Sequence, residues 1–340
     1  MAFMANLPED AMAIAMTRRA DFSEIPIIDI GELGLDTPGE TATIASIRHA
    51  CENVGFFYAA NNGIEASAFD RILAEGRRFF ALSQAERDAV LLTNSAQYRG
   101  YLPIGARGSD TDRPRDLLES FNVGRELGPD DPFVREGKPL HGPNQWPAGL
   151  TGFREAVLDY YATMETLMRR LLDAVGLSMG LPRGALLEHY RQPITQLRLL
   201  HYPAQDDTIH DMIGARPHRD IGVITILLQD DVGGLEVLNN MGEWVVAPPL
   251  PGTLIINFGD MARRMTNDRF LAAQHRVVNR YGRERYSVPF FVNPDYDTVL
   301  TTLPQFAAEG ATALYEPVHV GEFMHSFYRN LWPSAGKTVS

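Results

Sequence analysis

The sequence predicts a mainly β fold with flanking helices around a double-stranded β-helix (jelly roll) core. Three observations lead there. From Thr195 onward, short apolar runs alternate with turn signals, the spacing of a double-sheet barrel. Upstream of that point, longer segments carry helical periodicity. At 340 residues, 45% of them hydrophobic, the chain can bury a sizeable core as one all-β unit with helical extensions.

Taken in order, residues 1–24 read as a poorly ordered lead-in or a short peripheral helix. Residues 25–190 read as a mixed α/β region packing on the core, 191–300 as the jelly-roll core, and 301–340 as a C-terminal extension with a helix. Helices are expected over 40–54, 66–81 and 84–90, with a long one from Gly152 to Gly176. In that last helix Leu158, Tyr161, Leu167, Leu171 and Leu172 form an apolar stripe. The stretch Tyr98–Gly142 is rich in Gly, Pro, Asp and Arg and reads as loops with one strand at Glu119–Val123. Loops over a rigid scaffold commonly carry binding residues.

Core strands are expected over 195–202, 221–228, 234–238, 243–247, 253–257, 274–280 and 285–292. Asp231-Val232-Gly233-Gly234, Asn239-Asn240-Met241-Gly242, Pro248-Pro249-Leu250-Pro251-Gly252 and Gly259-Asp260 break them. Val320–Leu331 is expected to close the chain as an amphipathic helix with Phe323, Phe327 and Leu331 on one side.

A net charge of −12 argues against nucleic acid or an anionic membrane as a partner. No run of 18 apolar residues exists to span a bilayer. Ala11–Met16 is short and follows Glu9 and Asp10, so a signal peptide is not expected, and a cytoplasmic location is. The lone Cys51 excludes an intrachain disulfide and reads as a small buried hydrophobe.

The chemistry concentrates at His218-Arg219-Asp220 with His275 downstream. Two neutral imidazoles and one carboxylate can grip a divalent metal and leave positions open, the donor set of non-heme Fe(II) oxygenases. In a chain with nine histidines, His-x-Asp alone says little. Its neighbours say more. Arg285-Tyr286-Ser287 opens the apolar run Val288–Val292, and on a strand Arg285 and Ser287 share a face. A guanidinium fork with a hydroxyl beside it is a carboxylate clamp. His218 and Asp220 are expected to share a strand face by the same alternation.

Metal ligands, distal histidine, then Arg-x-Ser: that order resembles the 2-oxoglutarate/Fe(II)-dependent dioxygenases of the isopenicillin N synthase-like family. Leu197-Arg198-Leu199-Leu200-His201-Tyr202-Pro203 looks like the family strand ending in Tyr-Pro, with the tyrosine near the bound 2-oxoacid. Asn257-Phe258-Gly259-Asp260 resembles its Asn-x-Gly-Asp turn, and His275-Arg276-Val277 its distal histidine. Ile25-Pro26-Ile27-Ile28-Asp29 and Gly55-Phe56-Phe57-Tyr58 resemble its N-terminal region, so the likeness runs from about residue 25 to 330. One departure stands out. Leu200 occupies the place where plant members carry an asparagine for the 1-carboxylate, and Arg198, on the same face as Leu200 and Tyr202, is expected to supply that contact.

The resemblance implies Fe(II) held by His218, Asp220 and His275. It also implies 2-oxoglutarate as co-substrate with its far carboxylate on Arg285 and Ser287, and O2 at the last open position. Oxidative decarboxylation would release succinate and CO2 and oxidise a small-molecule substrate by hydroxylation, desaturation or ring closure. Two alternatives stay within the family: an isopenicillin N synthase-like oxidase using no 2-oxoglutarate, and an ethylene-forming enzyme. A non-catalytic metal-binding jelly-roll module is the alternative of another class. His201 alternates to the face opposite Tyr202 and reads as structural. His49, His141, His189, His210, His319 and His325 read as solvent or core residues; Tyr98, Arg99, Tyr101, Phe121 and Phe291 read as ordinary packing, with lining of a substrate pocket as the alternative.

Overall fold

A computed structural model describes residues 22–106, 116–205, 213–279, 282–307 and 313–332. Nearly all of the expected lead-in, residues 1–24, and His210 lie outside the described residues. β1 (Ile27–Asp29) precedes α1 (Pro38–Asn53), whose Thr37 cap accepts from the Glu40 amide while Pro38 opens the first turn. β2 (Phe56–Ala60), α2 (Ala66–Phe80) and α3 (Gln84–Asp88) follow, the last opened by a reciprocal cap between Ser83 and Glu86. β3 (Gly100–Leu102), β4 (Glu119–Gly124), α4 (Pro132–Arg135) and the long α5 (Phe153–Ser178) complete the N-terminal half.

The second half begins with β5 (Pro193–Tyr202), β6 (Ala215–His218), β7 (Ile224–Gln229), β8 (Leu235–Leu238), β9 (Trp244–Val246) and β10 (Leu254–Phe258). Then come α6 (Asp260–Met265), β11 (His275–Val277), β12 (Arg285–Asp295), β13 (Val299–Leu300), β14 (Val318–His319) and α7 (Val320–Leu331). An eight-stranded sheet has the order β1-β2-β10-β7-β12-β5-β4-β3, and a four-stranded sheet the order β6-β11-β8-β9. Strands from the N-terminal half thus extend the large sheet at both ends. Helices α1, α2 and α5 pack together, and α2 lies against β5 and β12. Beneath them the outward ring of Phe121 meets Phe79 at 4.4 Å and Phe153 at 5.5 Å between centroids. Alternation sends the next residues of β4, Ser120 and Asn122, to the inner face.

The expected helices form where periodicity placed them, with Leu158 at the half-buried margin of the α5 stripe. Several strands are shorter than expected: 221–228 begins at Ile224, 234–238 at Leu235, 243–247 narrows to Trp244–Val246, and among the described residues of 274–280 the strand covers His275–Val277. β1 and β3 are three residues each, too short to show alternation, and β2 is almost wholly buried, so neither face of it is polar. Gly259-Asp260 opens α6 rather than a plain turn, with Asp260 held by Arg263 and Arg264. In α7 the buried face is Val320, Gly321, Met324 and Tyr328, while Phe323, Phe327 and Leu331 flank it half-buried.

Candidate active site

Antiparallel pairing of β6 and β11 puts His218 directly opposite His275, with ring centroids 4.3 Å apart. Asp220 arrives differently from the expectation. β6 ends at His218, so the two do not share a strand face. The loop carrying Asp220 folds onto the start of α6: the Asp220 carbonyl accepts the Asp260 amide at 2.8 Å, and the Ile221 carbonyl that of Met261 at 2.9 Å. Only glycine fits at two of the contacts. A Cβ on Gly222 would lie 2.6 Å from the Val292 carbonyl oxygen, and one on Gly259 would lie 2.3 Å from that of Gly222.

The ligand atoms are aimed by bonds on their far sides. His218 Nδ1 donates to the Arg216 carbonyl at 2.7 Å and His275 Nδ1 to that of Ala273 at 3.3 Å, so each neutral ring turns an Nε2 lone pair inward. Both Nε2 atoms lie 3.9 Å from Asp220 Oδ1. Asp220 Oδ2 accepts from Thr225 Oγ1 at 2.6 Å and Asn257 Nδ2 at 2.7 Å. Burial pushes the Asp220 carboxyl up, but the attraction of the two imidazoles in their protonated form and these hydrogen bonds outweigh it and hold the group below its ordinary value. An ionised carboxylate with one free oxygen, facing two imidazole lone pairs, is an incomplete set that a divalent cation completes. All three ligand atoms lie within 4.8 Å of one another. Asn257 opens the Asn-x-Gly-Asp stretch that the resemblance marks as a turn. Thr225 was not singled out, though its lone hydroxyl in the apolar run Ile224–Leu228 was a usable signal.

At the other end of the cleft, register places Arg285 opposite Tyr202, and Ser287 between Leu200 and Gln229. Arg285 is 1% exposed. Its Nη1 donates to Ser287 Oγ at 3.0 Å and its Nη2 to Gln229 Oε1 at 2.9 Å, while its Cζ lies 4.7 Å from the Tyr202 ring centre. Arg285 Nε has no partner, and among the described residues no carboxylate forms an ion pair with this guanidinium. A buried cation in that condition calls for an anion. Gln229, the polar end of an apolar strand, was also not foreseen.

Arg198 faces the same cleft. Its Nε donates to Gln196 Oε1 at 2.7 Å, and its Cζ lies 4.6 Å from the Phe291 ring centre and 5.2 Å from that of Trp332. The cleft encloses about 550 Å³, part of it open to solvent, and joins the triad, Tyr202, Arg198, Leu200, Arg285 and Ser287. His201 lies on the outer face, its Nδ1 donating to Glu119 at 2.7 Å and its ring stacked on Tyr286 at 4.8 Å. Cys51 is buried, and burial raises its thiol well above the ordinary value.

Comparison with known proteins fits this geometry. Residues 193–294 match the family model of the 2OG-Fe(II) oxygenase superfamily, and residues 25–149 that of the non-haem dioxygenase in morphine synthesis N-terminal region. The chain is 33% identical over 324 residues to the 2-oxoglutarate-Fe(II) type oxidoreductase hxnY of Emericella nidulans, covering 91% of each. The chain belongs to the 2-oxoglutarate/Fe(II)-dependent oxygenases. A homoarginine-6-hydroxylase of Glycine max is 33% identical, covering 83% of this chain and 89% of its own. Among solved structures, a full-length Neurospora crassa protein in complex with alpha-KG superposes with a TM-score of 0.80 at 27% identity, covering 89% and 95% of the two chains. JOX2 in complex with 2OG, Fe and JA superposes with a TM-score of 0.74 at 26% identity, covering 92% and 86%. The oxygenase is therefore a dioxygenase that uses Fe(II), 2-oxoglutarate and O2 and oxidises a small molecule. Among its described residues no helix is long and apolar enough to cross a membrane.

Proposed function

We propose that His218 Nε2, Asp220 Oδ1 and His275 Nε2 hold the Fe(II), and that Arg285 with Ser287 receives the far carboxylate of 2-oxoglutarate. The observation that carries this is complementarity within one cleft. Three convergent lone-pair donors need a cation, and some distance away a buried guanidinium needs an anion. Bound there, Fe(II) and 2-oxoglutarate supply the O2-dependent oxidising chemistry that releases succinate and CO2.

The protein's part is to bind and orient. Thr225 and Asn257 keep Oδ2 of Asp220 occupied so that Oδ1 faces the metal. Tyr202 lies against the Arg285 guanidinium and walls the far end of the co-substrate site. Arg198 brings positive charge to the side of the cleft where the 1-carboxylate and the substrate meet. Phe56, Leu227, Leu235, Val277, Pro289 and Phe291 keep the middle apolar and exclude water. Residues 191–300 hold the catalytic unit, the described part of 25–190 packs on it, and within 301–340 the helix Val320–Leu331 closes it. We place the enzyme in the cytoplasm, where a reducing environment suits Fe(II), with a small organic molecule rather than nucleic acid as its partner.

Anaerobic titration of Fe(II) and 2-oxoglutarate tests this. The weak visible charge-transfer band of the chelate should form stoichiometrically in the parent. It should fail in His275→Ala, and it should need far more 2-oxoglutarate in Arg285→Leu. A parent-like band in both variants overturns the assignment.

A further inference from the structure

Beneath α7, on the inner face of the large sheet, lies a group of polar atoms that the proposed iron and co-substrate sites do not use. Asn122 is 0% exposed, yet both its Nδ2 and Oδ1 lack a hydrogen-bond partner. Arg99 Nε and Trp332 Nε1 are buried and unpartnered as well. Buried polar groups are nearly always satisfied, so a set of unsatisfied ones points to an absent partner.

The fold gathers them. Asn122 pairs with Arg198 across β4 and β5 and shares its face. Arg99 lies over Gly124, two residues along that face, where an added Cβ would sit 1.7 Å from the Arg99 Cζ. Among the described residues only the Leu140 carbonyl, at 3.0 Å, accepts from the Arg99 guanidinium, and no carboxylate forms an ion pair with it. Three unmet donors stand against one unmet acceptor, with two buried guanidiniums beside them. Such a set fits an anion with two acceptor oxygens. The cover is aromatic: Tyr328 and Trp332 stack at 5.2 Å, Tyr98 lies 5.5 and 5.9 Å from them, and the Tyr328 hydroxyl donates to Gln196 Oε1 at 3.3 Å.

We propose that the primary substrate is a small organic acid, and that Asn122 with Arg99 and Arg198 receives its carboxylate beneath α7. This rests on the dioxygenase site described above. The acid enters past Arg198 as the Tyr328–Trp332 cover shifts, and its apolar body lies along Phe291 with the C–H to be oxidised toward the triad. Arg285 is a separate anion site. Along β5 its opposite residue, Tyr202, is four residues from Arg198, about 13 Å.

The test begins with anaerobic enzyme saturated with Fe(II) and 2-oxoglutarate, so that the Arg285 end is filled. Straight-chain acids from butanoate to octanoate and phenylacetate are then titrated against their primary amides. The charge-transfer band and tryptophan fluorescence report binding. At least one acid should bind saturably, and its amide at least tenfold more weakly. Asn122→Leu should weaken that acid at least tenfold with 2-oxoglutarate affinity unchanged, and Asn122→Asp should weaken it further by repulsion. Asn122→Leu should also melt no lower than the parent, because it removes an unsatisfied amide, whereas a purely structural asparagine would lower the melting temperature. Equal binding of acids and amides, no acid binding, or parent-like acid affinity in Asn122→Leu overturns the proposal. Failure of the underlying site reading appears separately, as no 2-oxoglutarate band before any acid is added, and metal-free protein then still reads the acid pocket by fluorescence.

Discussion

The two ends of the cleft are built from different material. His218 and His275 sit at the ends of strands of four and three residues in the small sheet, and Asp220 sits in a loop. Arg285, Ser287 and Tyr202 come from strands of eleven and ten residues paired in the middle of the large sheet. The His218 side chain is 38% exposed, while Arg285 is nearly sealed. Each end lacks a charge of opposite sign, but they tolerate the lack differently. At the metal end water reaches the His218 ring at the rim, while buried His275 and Asp220 are held by their hydrogen bonds until a cation arrives. A buried guanidinium cannot be solvated that way, so its surroundings must hold it with a hydroxyl, an amide oxygen and a ring face until an anion arrives. Losing a residue at the metal end should therefore abolish function with little cost to folding, whereas losing one at the clamp should alter both.

The largest effect expected is at the metal end. His275→Ala removes one of three proposed ligands and should abolish Fe(II)-dependent succinate formation, while the circular dichroism spectrum stays that of the parent. Stoichiometric Fe(II) binding with normal turnover would falsify the triad assignment. At the other end, losing one partner of a buried charge pair costs roughly 2–5 kcal/mol, a factor of about 30 to several thousand in affinity. Arg285→Leu should weaken 2-oxoglutarate by that much with Fe(II) affinity nearly unchanged. Arg285→Lys should fall between, since an ammonium cannot pair both carboxylate oxygens from one plane. An apolar 2-oxoacid lacking the far carboxylate should partly rescue the leucine variant. If Fe(II) and 2-oxoglutarate weaken together, the two ends are not the independent units described above.

A smaller effect tests how the metal end is aimed. Residues that orient a metal ligand from behind typically change affinity by about 10–100-fold. Thr225→Val keeps the shape but removes one of two hydrogen bonds to Asp220 Oδ2, and Asn257→Ala removes the other. Each should weaken Fe(II) by that order in a competition titration, leaving 2-oxoglutarate affinity unchanged at saturating metal. Unchanged Fe(II) affinity in both would mean that the loop pinned by Asp260 and Met261 positions Asp220 without their help.

The same contrast explains what the sequence could disclose. His218, Asp220, His275, Arg285 and Ser287 were legible because their residue types and order are unusual, and the structure brings all five to one cleft. The strand alternation expected to carry Asp220 is nevertheless absent. Alternation needs a continuing strand, and β6 stops at His218 because the chain turns to bond with the start of α6. Gln229 was hidden because it ends an apolar strand and its partner Arg285 lies 56 residues on, whereas Thr225 stands five residues from Asp220 and its hydroxyl inside an apolar run was legible. Asn122 was hidden for a different reason: what marks it is the lack of a bond, which no sequence pattern records. The short strands β1 and β3 escaped because three residues cannot display a period.

Ser287→Ala should be the mildest change, and its size separates two accounts of the clamp. Ser287 Oγ accepts from Arg285 Nη1, which leaves the hydroxyl proton free to donate to a bound carboxylate. Deleting the hydroxyl removes that charge-assisted bond from the complex. It also removes an acceptor from the free enzyme, where the buried Nη1 would then go unpaired, so both states are raised. The difference should be about 1 kcal/mol, roughly fivefold in the apparent 2-oxoglutarate constant. The free protein should meanwhile melt at a lower temperature, because 2-oxoglutarate is absent and the arginine has lost a partner. If Arg285 is the main anchor, Ser287→Ala combined with Arg285→Leu should be little worse than Arg285→Leu alone, since without the guanidinium the carboxylate is no longer held against the hydroxyl. A loss from Ser287→Ala as large as that from Arg285→Leu would instead make the hydroxyl the anchor, with the arginine serving chiefly to hold it in place.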